Sequence, residues 1–245
     1  MRATVVTSSS GSPMTDQPEN DPELSTEAEF STEPTTAEIE SPPAGTEEYF
    51  GAAYPAAQQY AEHLATTGIE WGLIGPREVD RLWTRHILNC AVVAEYINVD
   101  DVVGDVGSGA GLPGIPIALM RPEAKIVLIE PMERRVEWLN MVVDDLGLKN
   151  VRIVRARVEE LVDEEMFTVV TARAVKAMTT LIEWTREVIS PGGRILALKG
   201  ASVEGELVKA KKLIKRYRLS QPQIHVVDGG GILEVPSRVV EIVKK

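Results

Sequence analysis

Residues 102–120 read VVGDVGSGAGLPGIPIALM and carry the strongest fold signal in the chain. Their apolar start predicts a buried strand, the glycine-rich middle predicts a tight turn, and the apolar end from about Gly114 predicts a helix. The turn glycines Gly107, Gly109 and Gly111 allow positive φ angles and a close approach of the backbone to a ligand. A strand, a glycine turn and a helix in this order indicate a fold that binds a nucleotide cofactor.

Two acidic residues near this turn narrow the choice of cofactor. A second strand is predicted at 125–129, and Glu130, which follows it, can accept hydrogen bonds from both hydroxyls of a ribose. Asp105 precedes the turn, whose G-x-G-x-G spacing differs from the G-x-G-x-x-G fingerprint of dinucleotide sites. A carboxylate there repels a pyrophosphate and suits the ammonium group of S-adenosylmethionine. The turn and the two acids therefore favour S-adenosylmethionine, with an NAD(P)-dependent oxidoreductase as the alternative.

The remainder of the chain alternates between strand and helix patterns, which predicts an α/β fold. Helices are predicted at 134–146, 178–189 and 209–218, and the second of them is expected to stop at Pro191. Further strands are predicted at 151–154, 168–172, 194–198, 224–227 and 238–243. Such units pair in parallel through right-handed crossovers, while the last two strands can pair antiparallel at the edge. The expected architecture is a Rossmann-like, mostly parallel, doubly wound sheet of seven strands.

Charge and composition divide the chain into three expected parts. The net charge is −11, yet residues 1–48 alone hold eleven acids and one base, so the remainder, with 25 bases and 26 acids, is nearly neutral. Residues 1–46 lack apolar periodicity and are predicted to form a disordered acidic tail. Residues 47–100 are predicted to form a helical cap, and residues 101–245 the cofactor-binding domain. A basic face on the folded part remains possible.

The predicted cap contains two helices. An amphipathic helix begins near Glu48 and is expected to end at Gly68, and a second begins near Pro76. His86 lies on the apolar face of the second helix, where it can face a ligand cleft. The opposite face carries three arginines at four-residue spacing, namely Arg77, Arg81 and Arg85. This stripe is either a solvated face or a ridge that contacts phosphates.

Several other classes of protein are disfavoured by composition. Cys90 is the only cysteine, so neither a disulfide framework nor a cysteine zinc site is expected. Its apolar neighbours indicate a small buried residue. The three histidines, His63, His86 and His225, have no metal-ligand spacing, and no metal is expected. The sequence also lacks an apolar run of membrane-spanning length and a secretory signal, which predicts a cytoplasmic location.

Two cations follow predicted strands at the edge where ligands of such sheets bind. Arg173 follows the strand at 168–172, and Lys199 follows the strand at 194–198. Neither has an evident structural partner in the sequence. They place positive charge where a polyanionic substrate would meet the cofactor, although ordinary salt bridges explain them equally well.

The chain resembles a known family at five segments. These segments are RHILNC at 85–90, DVGSGAGLPGIP at 105–116, RVEE at 157–160, ARAV at 172–175 and ALKG at 197–200. They resemble the 16S ribosomal RNA (guanine-N7) methyltransferases, also called glucose-inhibited division protein B, over roughly residues 48–245. The resemblance implies a class I methyltransferase fold. It also implies methyl transfer from S-adenosylmethionine to N7 of one guanine in small-subunit ribosomal RNA.

The resemblance also implies roles for particular residues. Gly107 and Leu112 would contact the cofactor in the loop, Val158 and Glu159 its adenine side, and Arg173 its methionyl end. The family usually has serine where this chain has Ala172, which puts a hydroxyl role there in doubt.

For catalysis, we expect Arg173 and Lys199 to hold the target phosphate or guanine O6, and His86 to shape the cleft. The helix at 209–218 and the arginine stripe would grip RNA, and the protein is expected to act as a monomer. A non-catalytic, nucleotide-sensing ribosome factor is the alternative from another class.

Overall fold

A computed structural model describes residues 38–173 and 177–245. The predicted acidic tail lies outside the described residues up to position 37. The part at 38–46 differs from the disorder expected there, because the chain is tied to the cap. The backbone N–H of Glu40 donates to Val79 O at 3.0 Å, and its carboxylate Oε2 accepts from the N–H groups of Trp83 and Thr84 at 2.7 and 3.0 Å.

Seven strands form one mixed sheet in the order β3-β2-β1-β4-β5-β7-β6. The strands are β1 (Val102–Val106), β2 (Lys125–Ile129), β3 (Val151–Val154), β4 (Phe167–Arg173), β5 (Ile189–Lys199), β6 (Gln223–Val227) and β7 (Ser237–Val243). The first five pair in parallel, whereas β7 is antiparallel to both β5 and β6. The seven-stranded, mostly parallel sheet with an antiparallel edge is thus confirmed.

Helices cover both faces of the sheet because the buried strands are apolar on both sides. One face packs on Gly114–Met120, Glu133–Asp145 and the cap, and the opposite face packs on Met178–Thr185 and Val203–Arg216. Alternate residues of each strand serve the two faces. On β1, for example, Val103 belongs to the first apolar layer and Val106 to the second.

The helix predicted at 178–189 is too long at its end. It stops at Thr185, and β5 already begins at Ile189, so the Pro-Gly-Gly run lies inside the strand. The ladder with β4 is irregular there, because Phe167 pairs with Ile189 whereas Val169 pairs with Arg194. Proline and glycine at this point form a bulge rather than a helix stop.

The cap is helical, but its geometry differs from the two continuous helices expected. The first part comprises Thr46–Phe50 and Tyr54–Ala65, and the expected stop at Gly68 falls in a separate turn, Thr67–Glu70. The second part comprises a 3₁₀ helix at Pro76–Arg81, a π-helix at Leu82–Leu88, a short α-helical turn at Asn89–Ala91 and a 3₁₀ helix at Val92–Tyr96. The change of helix type at Arg81, where φ is −144°, breaks the four-residue period. The three arginines therefore do not form the single α-helical row that the spacing predicted.

Candidate active site

The carboxyl ends of five parallel strands meet at one edge of the sheet. Ile129 of β2 pairs with Val106 of β1, and Arg173 of β4 pairs with Leu198 of β5. The glycine turn, Glu130, Arg173 and Lys199 are thus brought to the same edge. The chain order reverses between β1 and β4, which is where ligands bind in doubly wound sheets.

The glycine loop has the backbone geometry that its sequence predicted. The φ angles of Gly107, Gly109 and Gly111 are +70°, +57° and +84°, a region that other residues rarely adopt. The N–H groups of Gly107 and Ser108 both donate to Ile129 O, at 2.9 and 3.2 Å. The loop is therefore fastened to the end of β2.

Asp105 has a buried carboxylate oxygen that fits a cationic group of a ligand. The residue is fully buried, and its Oδ2 accepts from the Gly114 N–H at 3.1 Å. A side chain at Gly114 would collide with Leu128 and lie 2.7 Å from that oxygen, so only glycine permits the contact. Among the described residues, Oδ1 has no hydrogen-bond partner. Burial raises the pKa of this carboxyl to about 7. An ammonium group would satisfy Oδ1 and favour the charged carboxylate.

Glu130 is also buried, and it folds back onto the backbone. Its Oε2 accepts from the Gly109 N–H at 3.0 Å, and its Oε1 accepts from the Met132 N–H at 3.0 Å. Each carboxylate oxygen keeps a second acceptor site. Glu130 therefore shapes the loop and can still accept hydrogen bonds from ribose hydroxyls.

The remaining residues expected at the cofactor lie beside this loop or after β3, the strand next to β2. Leu112 is buried in the apolar core directly after the glycine turn. Val158 is buried and Glu159 is exposed, and both belong to the 3₁₀ helix Val158–Leu161 after β3. The N–H of Arg157 donates to Glu160 Oε2 at 2.9 Å, which fixes the start of this helix.

Arg173 and His86, which are distant in sequence, are in direct contact. Arg173 Nη2 donates to His86 Nδ1 at 2.7 Å and to Arg85 O at 3.2 Å. On the other side of the ring, His86 Nε2 lies 2.8 Å from Glu78 Oε2. Burial and the neighbouring guanidinium lower the pKa of His86 to about 4, so the ring is neutral at pH 7. The ring of His86 thus connects the cap to the end of β4.

Cys90 is buried, as its neighbours in sequence predicted. Its Sγ accepts from Arg173 Nη1 at 3.6 Å. Burial raises the pKa of the thiol to about 11, so it remains protonated at neutral pH. A nucleophilic cysteine requires the thiolate, and Cys90 is not suited to that chemistry.

Lys199 has a structural partner that the sequence did not reveal. Its Nζ forms an ion pair with Glu206 Oε2 at 3.0 Å, and the lysine side chain is only 9% exposed. The same carboxylate oxygen accepts from the Met178 N–H at 3.0 Å. Of the two interpretations that the sequence left open, the ordinary salt bridge is observed for Lys199, because the helix after β5 supplies Glu206.

A cleft of about 1080 Å³ opens beside Arg173 and Lys199. Its walls come from residues 40–43, the π-helix of the cap, the start of the Val203–Arg216 helix and the loop at 232–236. Two further cations, Arg81 and Arg85, line it. Both pair with Glu78, Arg81 at 2.6 Å and Arg85 at 3.2 Å.

The basic helix reaches this cleft only near its start, through Glu206. We use this name for Val203–Arg216 and the following Arg218. Its cationic side chains are exposed, and Lys211, Lys215 and Arg218 line a second groove of about 760 Å³. Within the described residues, the lining of the first cleft includes none of these three.

Three contacts at the site were missed by reasoning from the sequence. Tyr60 was predicted only as an apolar-face residue, yet its hydroxyl donates to Ala110 O of the glycine loop at 2.6 Å. Glu78 and Glu40 are acids in polar stretches, and nothing in their spacing indicates that they contact the π-helix. In 38–173 and 177–245, no group of three or more potential metal ligands occurs, and no helix is long and apolar enough to cross a membrane.

The sheet order, the glycine loop and the acid after β2 define a class I, S-adenosylmethionine-dependent methyltransferase. The fold is similar to that of a predicted O-methyltransferase from Agrobacterium tumefaciens, with a TM-score of 0.51 and 16% identity, covering 65% of this chain and 80% of that chain. The chain belongs to the GidB family, rRNA small subunit methyltransferase G, whose model matches residues 53–231.

Relatives from two organisms bear the same description. A ribosomal RNA small subunit methyltransferase G from Renibacterium salmoninarum is 53% identical over 79% of this chain and 90% of its own length. Another from Paenarthrobacter aurescens is 49% identical over 85% of this chain and 94% of its own length. The family resemblance is thus confirmed, S-adenosylmethionine is the cofactor, and the oxidoreductase and the non-catalytic factor are not retained.

Proposed function

We propose that this chain transfers the methyl group of S-adenosylmethionine to N7 of one guanine in 16S ribosomal RNA. The observation that carries the proposal is the fully buried Asp105 Oδ1, which lacks a partner among the described residues and lies beside the glycine loop. A buried carboxylate oxygen is costly unless it is paired, and the ammonium group of the cofactor would pair with it. Membership in a small-subunit rRNA methyltransferase family supports the choice of substrate.

The cofactor would be held by four groups of this chain. Asp105 would accept from its ammonium group, and Gly107 and Leu112 would line the loop. Glu130 would accept from its ribose hydroxyls through the acceptor sites left by Gly109 and Met132. The short helix at Val158–Leu161, with Val158 and Glu159, would flank its adenine. When bound, S-adenosylmethionine supplies a methyl group attached to a positively charged sulfur.

Methylation at N7 requires positioning rather than proton removal. Guanine N7 already presents a lone pair on the major-groove edge of the base, so no general base is needed. Correct alignment of the reacting atoms can supply on the order of 7–11 kcal/mol. The role of Arg173, and of Lys199 once its pairing with Glu206 is exchanged for a phosphate, is to hold the target nucleotide. His86 holds Arg173 from the cap.

The cations around the cleft and on the basic helix would bind the RNA backbone. The cleft is lined by Arg81, Arg85 and Arg173, and the basic helix presents its own exposed row. Binding through phosphates releases counterions and therefore weakens as the salt concentration rises. We further propose a cytoplasmic monomer that acts on the small ribosomal subunit.

The test combines labelled S-adenosylmethionine with unmodified small ribosomal subunits and maps the label by cleavage specific for N7-methylguanine. We expect label at one guanine, and no label would contradict the proposed function. In the same assay Lys199→Ala should lower turnover at least tenfold without changing cofactor affinity. The exposed Lys149, changed to alanine, serves as the matched control and should keep turnover within about twofold. Full turnover by Lys199→Ala would refute the role of Lys199.

A further inference from the structure

Glu78 contacts His86 and two arginines that line the cleft, although it belongs to none of the sequence motifs. Its Oε1 accepts from Arg81 at 2.6 Å, and its Oε2 forms an ion pair with Arg85 Nε at 3.2 Å. The same Oε2 lies 2.8 Å from His86 Nε2. Burial alone would raise the pKa of Glu78, but the hydrogen bonds from His86 and Arg81 outweigh it and lower the pKa, so the group is a carboxylate at neutral pH.

The contacts on the two sides of His86 determine where its proton lies. A guanidinium can only donate, so the Nδ1 atom that faces Arg173 must carry the lone pair. The neutral ring then carries its proton on Nε2 and donates it to Glu78 Oε2. The other tautomer would direct an N–H at a cation and leave the carboxylate without this donor.

We propose that Glu78 is a positioning residue that selects the Nε2–H tautomer of His86 and thereby holds Arg173 in the cleft. This inference rests on the proposed function, in which Arg173 holds the target nucleotide. Among the described residues, the contact of 2.7 Å with His86 is the shortest hydrogen bond of Arg173, since Arg85 O lies at 3.2 Å and Cys90 Sγ at 3.6 Å.

The relay orients Arg173 without neutralising it. Among the described residues, no carboxylate lies within 4.0 Å of the Arg173 guanidinium. A carboxylate in direct contact would compete with a phosphate or with guanine O6 for the same N–H groups. A neutral imidazole between Glu78 and Arg173 fixes the direction of the guanidinium and leaves its charge available to the substrate.

The tautomer can be read directly by long-range ¹H–¹⁵N correlation spectra of the full chain, which has only three histidines. In Glu78→Gln the amide can also donate to Nε2, so we expect His86 to gain a substantial Nδ1–H population. With small subunits, kcat should fall about tenfold while the Kd for S-adenosylmethionine stays unchanged. An unchanged tautomer in Glu78→Gln, or a kcat equal to that of the unaltered chain, would overturn the proposal.

Two replacements of His86 distinguish a relay from simple packing. In His86→Asn the amide oxygen can take the place of Nδ1 and accept from Arg173, whereas in His86→Gln the amide nitrogen takes the place of Nε2 and faces Glu78. We expect Asn to retain several-fold more kcat than Gln, and Glu78→Gln to have little further effect in the Asn background. Equal kcat for Asn and Gln would indicate a packing role and contradict the relay.

The matched control is the other His–Glu pair on the folded part. His225 Nε2 lies 2.8 Å from Glu241 Oε2, the same separation, but this pair joins β6 to β7. Glu241→Gln should leave kcat within about twofold. If the unaltered chain methylates no subunit, the proposed function fails, whereas the His86 tautomer of the free protein still decides the role of Glu78.

Discussion

At the scale of single residues, two buried aspartates of the same domain show opposite electrostatics. Asp101 is fully paired, because its carboxylate accepts from Thr168 at 2.7 Å, from the Asn98 N–H at 2.8 Å and from Arg194 at 2.8 Å. The Asp105 carboxylate accepts from the Gly114 N–H through Oδ2, while Oδ1 has no hydrogen-bond partner among the described residues. Asp101 therefore stabilises the fold. Asp105 destabilises the free protein when it is charged, and a cationic ligand would pair with it.

Asp105→Asn is therefore expected to stabilise the free protein while impairing cofactor binding. The pKa of Asp105 is raised to about 7, so its contribution to stability falls as the pH rises from about 4 to 7. The variant should gain about 1–3 kcal/mol in the free energy of unfolding at pH 8 and little at pH 4. Denaturant titrations at the two pH values measure this difference.

Calorimetry on the same variant should show that S-adenosylmethionine binds at least tenfold more weakly, because a charge-assisted hydrogen bond is lost. Asp101→Asn is the contrasting control, since it should lower stability at pH 8. A loss of stability at pH 8 in Asp105→Asn would contradict our description of this site.

At the scale of elements, the π-helix of the cap and the basic helix carry their cationic side chains to different surfaces. The π-helix at Leu82–Leu88 directs Arg85 towards Glu78 and His86 towards Arg173, and the two arginines line the cleft. The basic helix instead presents an exposed row whose later residues line a separate groove. The cations of the cleft are thus separated from the later cations of the basic helix.

This separation predicts that the basic helix contributes affinity but not catalysis. Replacing Lys211, Lys215 and Arg218 by glutamine should lower the slope of log Kd against log salt by up to about 2 for single-stranded RNA. The kcat at saturating subunit should remain within about twofold. Filter binding over a range of KCl concentrations gives the slope.

A triple variant of Lys125, Lys149 and Lys244 is not a suitable control. Lys244 donates to Arg186 O and Ile189 O at 2.7 Å, so its replacement would lower the stability of the protein as well as its charge. Lys149→Gln alone is therefore the control, with an expected change of less than one unit in slope. An unchanged slope in the triple variant of the basic helix would remove this helix from the RNA interface.

At the scale of the whole molecule, negative charge is concentrated in the N-terminal residues, and we expect it to weaken association with RNA. Residues 1–37 contain seven acids and one base, whereas the remainder of the chain is far less acidic for its length. A net negative charge on a protein repels RNA over roughly a Debye length, about 10 Å at 0.1 M salt.

Deleting residues 1–37 should therefore raise the affinity for small subunits at 50 mM salt by several-fold and have no effect at 300 mM. Residues 38–46 are retained, because Glu40 is hydrogen-bonded to the cap. The measurement is subunit binding of the full and shortened chains at both salt concentrations. Equal affinity at the lower salt would contradict a role for these acids.

The strands of the sheet, the geometry of the glycine loop and the class of cofactor could be predicted from the amino-acid sequence. Alternating apolar segments and turn glycines act locally, so β2 and β3 have the predicted bounds and the loop has the predicted φ angles. Local rules could not place β7 between β5 and β6, because that order depends on pairing between distant segments.

The partners of the charged side chains could not be predicted from the sequence, because they are brought together by the tertiary structure. Lys199 meets Glu206 through a helix that folds back on β5, and Arg173 meets His86 across 87 positions of sequence. The four-residue spacing of the cap arginines also does not produce a single row, because a 3₁₀ helix is followed by a π-helix. Ion pairs and hydrogen bonds depend on distances of a few ångströms between separate elements, and periodicity carries no information about those distances.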